Sequence, residues 1–372
     1  MKFQIKTLTL KNALDIVNHA TASISTTPIL ENVLIKVNYS HIIFTANNLE
    51  MAIEHIVNEN IKIDSEWSFC VPSKIFTNYI NLLTDDSVNI ELLNDNSIEI
   101  ESQSSHIKIK WNGASDFPLI PIVKENISFR LKTEVLKKAI EKTLFSSANG
   151  NLRPTLAGIY VNITHNIAKF ATTDSFRLTE FSIHVEENLV EPFCQIIPNK
   201  TAFELKSILQ DSDMITFIPW ENQIVFILWN TKFYSSLMNG KFPEYESFFP
   251  TSYNTRTILN KFDLIQALKK INLLSKENNY SIKMSFSKEV WVLIETSQTQ
   301  IWEAQMNMIW TVEWEDAIIG LNGEYLLEVL WVIDKTHVSL SFESPLSAIL
   351  IVWISEDSKK DWFRHIIMPL KI

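Results

Sequence analysis

In the stretch after Leu10 the apolar residues fall at Leu10, Ala13, Leu14 and Val17, a spacing that predicts an amphipathic helix over 9–20. Period-two alternation follows in Ile61-Lys62-Ile63, Val88–Leu92, Ile98-Glu99-Ile100 and Ile107-Lys108-Ile109, which reads as half-buried strands. A second helix is expected to open at Pro72, because a proline suits a first helical turn, where its missing N–H has no partner to lose. The same pattern predicts six helices: 9–20, 72–82, 132–144, 198–210, 260–276 and 322–334.

This plan repeats. Phe3-Gln4-Ile5-Lys6-Thr7 precedes Leu10, Ala13 and Leu14, and Phe129-Arg130-Leu131-Lys132-Thr133 precedes Leu136, Ala139 and Ile140, an offset of 126 residues. The offset also links Phe44 to Phe170, Ile98 to Ile224, and Val71-Pro72-Ser73-Lys74 to Ile197-Pro198-Asn199-Lys200. Phe117-Pro118 maps to Phe242-Pro243 with one deletion. A fainter third copy begins at Thr257-Ile258-Leu259-Asn260-Lys261, and Asn322-Gly323-Glu324 takes the place of Pro72 and Pro198. The expected fold is α+β, with three repeated domains (1–121, 122–249 and 250–372), each holding antiparallel sheets and two helices.

Charge changes the picture. The chain carries −10 overall, yet the six predicted helices together carry +4, which leaves −14 on strands and loops. Lysines on exposed helix faces can be simple solvation, or they can form a basic surface that holds phosphates without reading bases. Cys70 and Cys194 form no CxxC pair, so neither zinc nor a redox site is indicated, and both are read as buried small hydrophobes. No apolar run reaches the ~18–20 residues that span a bilayer, and Met1–Asp15 lacks a signal-peptide core, so a cytoplasmic protein that does not engage membranes is expected. There is no GxGxxG, Walker loop, GxSxG elbow or HExxH. A non-enzymatic binding protein without cofactor or metal is therefore expected. Composition and pattern leave three kinds open: one that encircles DNA, which the charge partition favours over a repeat scaffold that binds protein or lipid, and an enzyme of unrecognised site, which the lack of any carboxylate, His or Cys cluster disfavours.

Specific segments resemble a family. Met1-Lys2-Phe3, Thr27-Pro28-Ile29-Leu30, Ala171–Leu178 (ATTDSFRL), Asn239–Tyr245 (NGKFPEY) and Met368-Pro369-Leu370, in this order, resemble the bacterial DNA polymerase III β sliding clamps along the whole chain. The resemblance implies the DNA clamp fold in a head-to-tail homodimeric ring, which encircles double-stranded DNA without sequence preference. It implies a processivity factor that tethers the polymerase and other proteins carrying a clamp-binding motif, and that a separate clamp loader opens. It assigns a peptide pocket with one wall from Leu156, Thr173, Phe176, Arg177 and Leu178, a second from Pro243 and Phe248, and a C-terminal side from Tyr325, Pro345, Ile367, Met368, Pro369 and Leu370. Such a groove fits an extended peptide anchored by Leu or Phe; read without the family, these residues are better taken as ordinary interdomain core. The ring seam falls on Ile107 and Ile109 of an edge strand, and on Leu273 and Leu274 of a helix. DNA contacts are expected from Lys74, Lys137, Lys138, Arg153, Lys200 and Lys269. Two departures stand out. Ile24-Ser25-Thr26-Thr27 lacks the basic residue many relatives carry there, and Phe176 stands where histidine is common.

Eleven tryptophans against six glycines is an unusual ratio. Trp220 and Trp229 fall in expected turns, and Trp229-Asn230 is an expected two-residue hairpin that wants positive φ. Trp67, Trp229, Trp302 and Trp314 stand where the family usually has glycine. Some of these codons are expected to be UGA, read as glycine in the source organism. Sequencing the gene checks this: UGA is expected at Trp229 and Trp314, and UGG at both would end the idea.

Overall fold

The six helices form where the apolar spacing puts them. In the computed structural model they run Thr7–Asn18 (α1), Ser73–Leu82 (α2), Thr133–Thr143 (α3), Asn199–Ile208 (α4), Lys261–Ser275 (α5) and Gly323–Val332 (α6). The structure describes residues 1–22, 25–93, 96–120, 123, 128–150, 153–185, 192–210, 213–287, 291–296, 305–308, 312–354 and 361–371. Helix α1 buries Leu10, Ala13, Leu14 and Val17, the positions its spacing selects. The prolines sit differently from expectation. Pro72 is the N-cap of α2, with extended ψ of 112°, and Pro198 ends a strand before α4. Each strand runs straight into its helix, so the proline closes the strand rather than opening the first turn. Asn322 does cap α6, accepting from the Glu324 and Tyr325 amides at 2.9 and 3.0 Å.

The described residues gather into two compact units, Met1–Glu134 with Glu204–Leu237, and Val135–Phe203 with Met238–Ile372. The segment 122–249 contributes strands to both, because its two halves pair with different neighbours. In the first unit a nine-stranded sheet runs in the order Asn112–Gly113, Trp67–Pro72, Asn32–Asn38, His41–Asn47, Met51–Val57, Thr231–Ser236, Gln223–Leu228, Met214–Trp220, Phe129–Lys132. A five-stranded sheet beside it ends at the edge strand His106–Lys110. In the second unit the nine strands are Phe193–Pro198, Gly158–Thr164, Ile167–Thr173, Arg177–His184, Asp361–Ile367, Ile349–Trp353, His337–Phe342, Thr255–Asn260 and Val312–Trp314. A four-stranded sheet there has Gln305–Met308 at one edge.

Each nine-stranded sheet contains one pairing between repeats, which we call a seam. Met51–Val57 pairs with Thr231–Ser236, and Arg177–His184 pairs with Asp361–Ile367, both antiparallel. The repeat survives at the level of hydrogen bonds. Leu49 (φ 72°) and Ser175 (φ 82°) lie 126 residues apart. Asn48 Oδ1 accepts the amides of Glu50 and Met51, as Asp174 Oδ1 accepts those of Phe176 and Arg177. A short polar side chain that mimics a backbone turn makes this tight connection possible in both copies.

Several helix lysines have structural work. Lys11 of α1 donates to the Asn81 and Leu83 carbonyls at 3.1 and 2.7 Å, at the C-terminus of α2. Lys142 of α3 is buried, donates to the Val332 carbonyl at the end of α6, and meets Asp334 at 2.5 Å. Lys261 reaches the Ile333 carbonyl at 2.6 Å. Helix ends expose carbonyls with partial negative charge, and an ammonium satisfies both the hydrogen-bond and the dipole requirement.

Trp229 occupies the hairpin turn at φ 47°, and its side chain is 81% exposed. A β-carbon is crowded in that conformation, and the indole gains no packing in return. Trp220 is in the Met214–Trp220 strand rather than the turn; Glu221, at φ 48°, takes the turn position instead. Trp67 stacks on Phe69 at 4.2 Å with its indole nitrogen buried and unpartnered. Ile24 and Trp302 lie outside the described residues, and Trp314 ends a strand paired to Thr255. Cys70 is buried as expected; Cys194 is exposed, because it faces outward on the edge strand Phe193–Pro198.

Both seams hold a histidine that resists protonation. Burial lowers the His55 pKa to about 4, and the ring bonds Thr231 Oγ1 across the seam at 2.8 Å. Burial, and then the nearby Arg177 charge, push His365 well below its ordinary value. Between about pH 6.5 and 4 the unfolded chain binds these protons and the folded chain does not, so stability falls as the solution is acidified through that window. Each histidine adds at most about 1.4 kcal/mol per pH unit. Urea unfolding at pH 7 and 4.5 should show the loss, and His55→Asn should flatten part of it. An unchanged slope in the variant would contradict the assignment.

Candidate peptide groove and basic helix faces

The residues expected from the sequence to line a groove all lie in the second unit. The floor is the start of the Arg177–His184 strand, where Arg177 and Leu178 are 8% and 3% exposed. Phe176 precedes them in the Asp174 turn and is 62% exposed. The turn is tied by Thr173 Oγ1, which donates to the Arg177 carbonyl at 2.6 Å. The C-terminal segment runs alongside, with Arg177 opposite Ile367 and the Met368 amide donating to the Phe176 carbonyl at 2.8 Å. Met368 is 45% exposed and Ile367 is buried. Pro369 follows, and the Leu370 amide bonds the Gly320 carbonyl at 2.8 Å. These residues therefore lie side by side.

Arg177 organises one side. Its Nε donates to Asp174 Oδ2 at 2.9 Å and an Nη to the Phe145 carbonyl at 2.8 Å. The other Nη bonds Glu328 of α6, and the guanidinium lies 4.2 Å from the Tyr325 ring centroid. A planar cation stacked on an aromatic face and flanked by two carboxylates is fixed in direction as well as place. Burial, followed by the charge of Asp174, raises the Tyr325 hydroxyl pKa.

The opposite side is the segment after Gly240. Gly240 has φ 126°, and a β-carbon there would stand 2.5 Å from Thr155, so the close turn needs glycine. Phe242, Tyr245 and Phe249 then pack into the cluster that contains Leu156 and Leu178. Pro243 and Phe248, the expected wall, are left exposed between them, Phe248 at 57%. Pro345 sits in the exposed turn 343–346, shortly before Ala348, which packs on the same cluster. Asp174, Glu328, Phe145 and Tyr245 were not singled out from sequence. Of these Asp174 had a signal, as the polar residue repeated at the position of Asn48, and Tyr245 had one as the last residue of the NGKFPEY segment. A separate cavity of about 720 Å³ is lined by Tyr160, Asn162, Cys194 and Pro243–Ser247, and shares only Pro243 with the expected groove.

The expected DNA-contact residues differ in their freedom. Lys74, Lys200 and Lys269 are exposed on α2, α4 and α5, and Lys269 lies 4.7 Å from the Trp331 ring centroid. Lys137 is half-buried. Lys138 is bound to Asp361 at 2.5 Å and sits 5.6 Å from the Phe181 ring, so part of its charge is already met. Arg153 bonds Ser175 Oγ in the groove turn, which places it at the groove rim. At the expected seam, Leu273 is 78% exposed, Leu274 and Ile107 are half-buried, and Ile109 is 7% exposed. Among the described residues no His, Cys, Asp and Glu are grouped to hold a metal ion, and no helix is long and apolar enough to cross a membrane.

Comparison with known proteins agrees with this architecture. The models of the DNA polymerase III beta subunit match in order: N-terminal domain over residues 1–121, central domain over 130–244 and C-terminal domain over 246–371. The beta sliding clamp of Staphylococcus epidermidis is 28% identical, with 100% of this chain and 99% of the relative covered. That of Streptococcus pneumoniae strain R6 is 26% identical over 96% of each. The crystal structure of the DNA polymerase III beta chain from Streptococcus pneumoniae TIGR4 superposes with a TM-score of 0.95 at 26% identity over the full length of both chains. The Bacillus subtilis sliding clamp shares the fold, with a TM-score of 0.94 at 24% identity. With three domain models laid end to end over nearly all of its length, this chain belongs to the DNA polymerase III beta subunit family, the beta sliding clamps.

Proposed function

We propose that this protein is the sliding clamp of a cytoplasmic replicative polymerase, three domains to a chain and two chains to a head-to-tail ring around duplex DNA. The observation that carries this reading is the threefold helix-pair-and-sheet plan, matched in order by the three beta-subunit domain models. A closed ring cannot leave DNA sideways, so it raises the effective concentration of whatever it holds there. Phosphate contact can then be weak, which permits sliding. Lys74, Lys137, Lys138, Arg153, Lys200 and Lys269 supply that contact, and Lys138 shares its charge with Asp361. The acidic remainder of the chain opposes binding of DNA elsewhere.

The ring closes through two sheet edges. The strand His106–Lys110 stands at one edge in the first unit and Gln305–Met308 at another in the second. An apolar edge strand invites pairing with another chain, and a heterologous contact that closes after two copies makes a dimer rather than a filament. Exposed Leu273, with Leu274, Ile107 and Ile109, supplies the apolar part of that contact. The groove built on Arg177 and Leu178 takes an extended segment of the polymerase or of other clamp-binding proteins, a clamp loader included, through Leu or Phe anchors. The clamp itself does no chemistry: it binds, closes and slides.

Topology tests the first part. After loading, the protein should stay on a nicked circular plasmid in high salt and leave it on linearisation; release that ignores linearisation would refute the ring. Oligomeric state tests the second. Leu273→Ala combined with Leu274→Ala should convert dimers to monomers in sedimentation, and a dimer of unchanged strength would remove these residues from the interface.

A further inference from the structure

The wall that carries Pro243 and Phe248 belongs to no sheet. Among the described residues its main-chain tie to the fold is the Met238 amide on the Ile196 carbonyl, and the next bonds are internal to the turn at Tyr245–Phe249. Its position must come from side chains. Phe242, Tyr245 and Phe249 supply apolar packing, but such packing alone leaves sliding and tilting cheap compared with a directed bond to a buried charge.

That charge is Glu180. It is fully buried, on the strand that forms the groove floor. Four donors converge on it. Arg364, opposite in the seam, gives Nε to Oε1 at 2.8 Å and Nη2 to Oε2 at 3.1 Å. Ser182 gives its hydroxyl to Oε1 at 3.3 Å. Tyr245 gives its hydroxyl to Oε2 at 2.7 Å. The Arg364 guanidinium also stacks 3.9 Å from the Phe249 ring centroid. The pair therefore grips the wall at two points, on either side of Phe248. An exposed ion pair, Lys169 with Glu246 at 2.6 Å, adds a third and weaker tie in solvent.

The other seam shows what is special here. Glu54 lies 126 residues before Glu180, stands opposite Lys232, and accepts the Tyr234 hydroxyl at 2.8 Å. That tyrosine lies on the seam strand itself, so the carboxylate holds only the sheet. At Glu180 the tyrosine comes from outside the sheet.

We propose that Glu180, with Arg364, is a positioning residue of the peptide groove: through Tyr245 and Phe249 it fixes the wall that bears Pro243 and Phe248 before any partner arrives. This rests on the groove being the partner site. A preset wall removes the ordering cost from binding, so loosening it weakens peptide without unfolding the sheet.

The test uses Tyr245→Phe in the full chain, which deletes one hydroxyl and leaves the Glu180–Arg364 pair intact. A fluorescein-labelled extended heptapeptide carrying Leu and Phe is titrated by polarisation, and amide exchange is followed over 243–248. Expected are a Kd raised roughly three- to tenfold, faster exchange confined to the wall, and dimerisation as in the parent. Ser182→Ala, which touches the same carboxylate but not the wall, should leave Kd unchanged. Parent protein that fails to bind the peptide refutes the groove, and the inference falls with it. Parent binding with no change in Tyr245→Phe leaves the groove standing and overturns the role of Glu180. Equal losses in Tyr245→Phe and Ser182→Ala would reduce Glu180 to general stability and overturn it as well.

Discussion

Met51–Val57 and Thr231–Ser236 lie in different repeats yet form one backbone ladder, and Arg177–His184 and Asp361–Ile367 do the same. Without these pairings each repeat would end in an open row of amides and carbonyls, a costly and aggregation-prone edge. With them, two sets of short strands become two nine-stranded sheets. The groove depends directly on the second pairing. It sets Arg177 against Ile367, turns the chain end past Phe176, and puts Arg364 across from Glu180. A slip of one residue would exchange the faces of the whole strand and move Glu180 out of its place opposite Arg364. The register is therefore a functional quantity as well as a structural one.

Helix charge divides along the same lines. Lys11, Lys142 and Lys261 spend their ammonium groups on carbonyls near helix ends, so they hold helix to helix. Lys74, Lys200 and Lys269 are exposed. A count of positive charge on helices mixes these two populations. Phosphate binding by a ring needs only the second, and a modest number suffices, because topology rather than affinity keeps the ring in place.

Helices, hairpins and the repeat were legible because local spacing encodes them. The Leu10–Val17 stripe, the alternation at Ile107–Ile109 and the offset linking Phe44 to Phe170 need no knowledge of distant contacts. The groove was legible only through the ATTDSFRL, NGKFPEY and MPL segments taken together, since nothing local tells a groove-lining Leu178 from a core leucine. What stayed hidden depends on partners far along the chain. Glu180 and Arg364 are 184 residues apart, and Lys142 and Asp334 are 192 apart. A glutamate in an alternating strand looks solvent-facing until its partner is known. Cys194 was misread for a related reason: Phe193-Cys194 looks apolar, but edge-strand alternation turns the thiol outward. Trp229 is the reverse case. Its misfit was visible from turn chemistry alone, and φ of 47° bears that out.

On the single strand Arg177–His184 an arginine and a glutamate, three residues apart, are each held by side chains from other segments. Arg177 is clasped by Asp174 and Glu328 and stacked on Tyr325; Glu180 is clasped by Arg364, Ser182 and Tyr245. Buried ions are poor investments for stability alone, because desolvation cancels most of their attraction. Their advantage is direction: each fixes an angle that apolar contact would leave loose. A groove whose shape is set in advance costs less to fill, while the exposed side chains beside it, Phe176, Phe248 and Met368, stay apolar and adaptable. Placing both anchors on the seam strand links groove geometry to the pairing that joins the repeats, so the site is as well defined as the sheet beneath it.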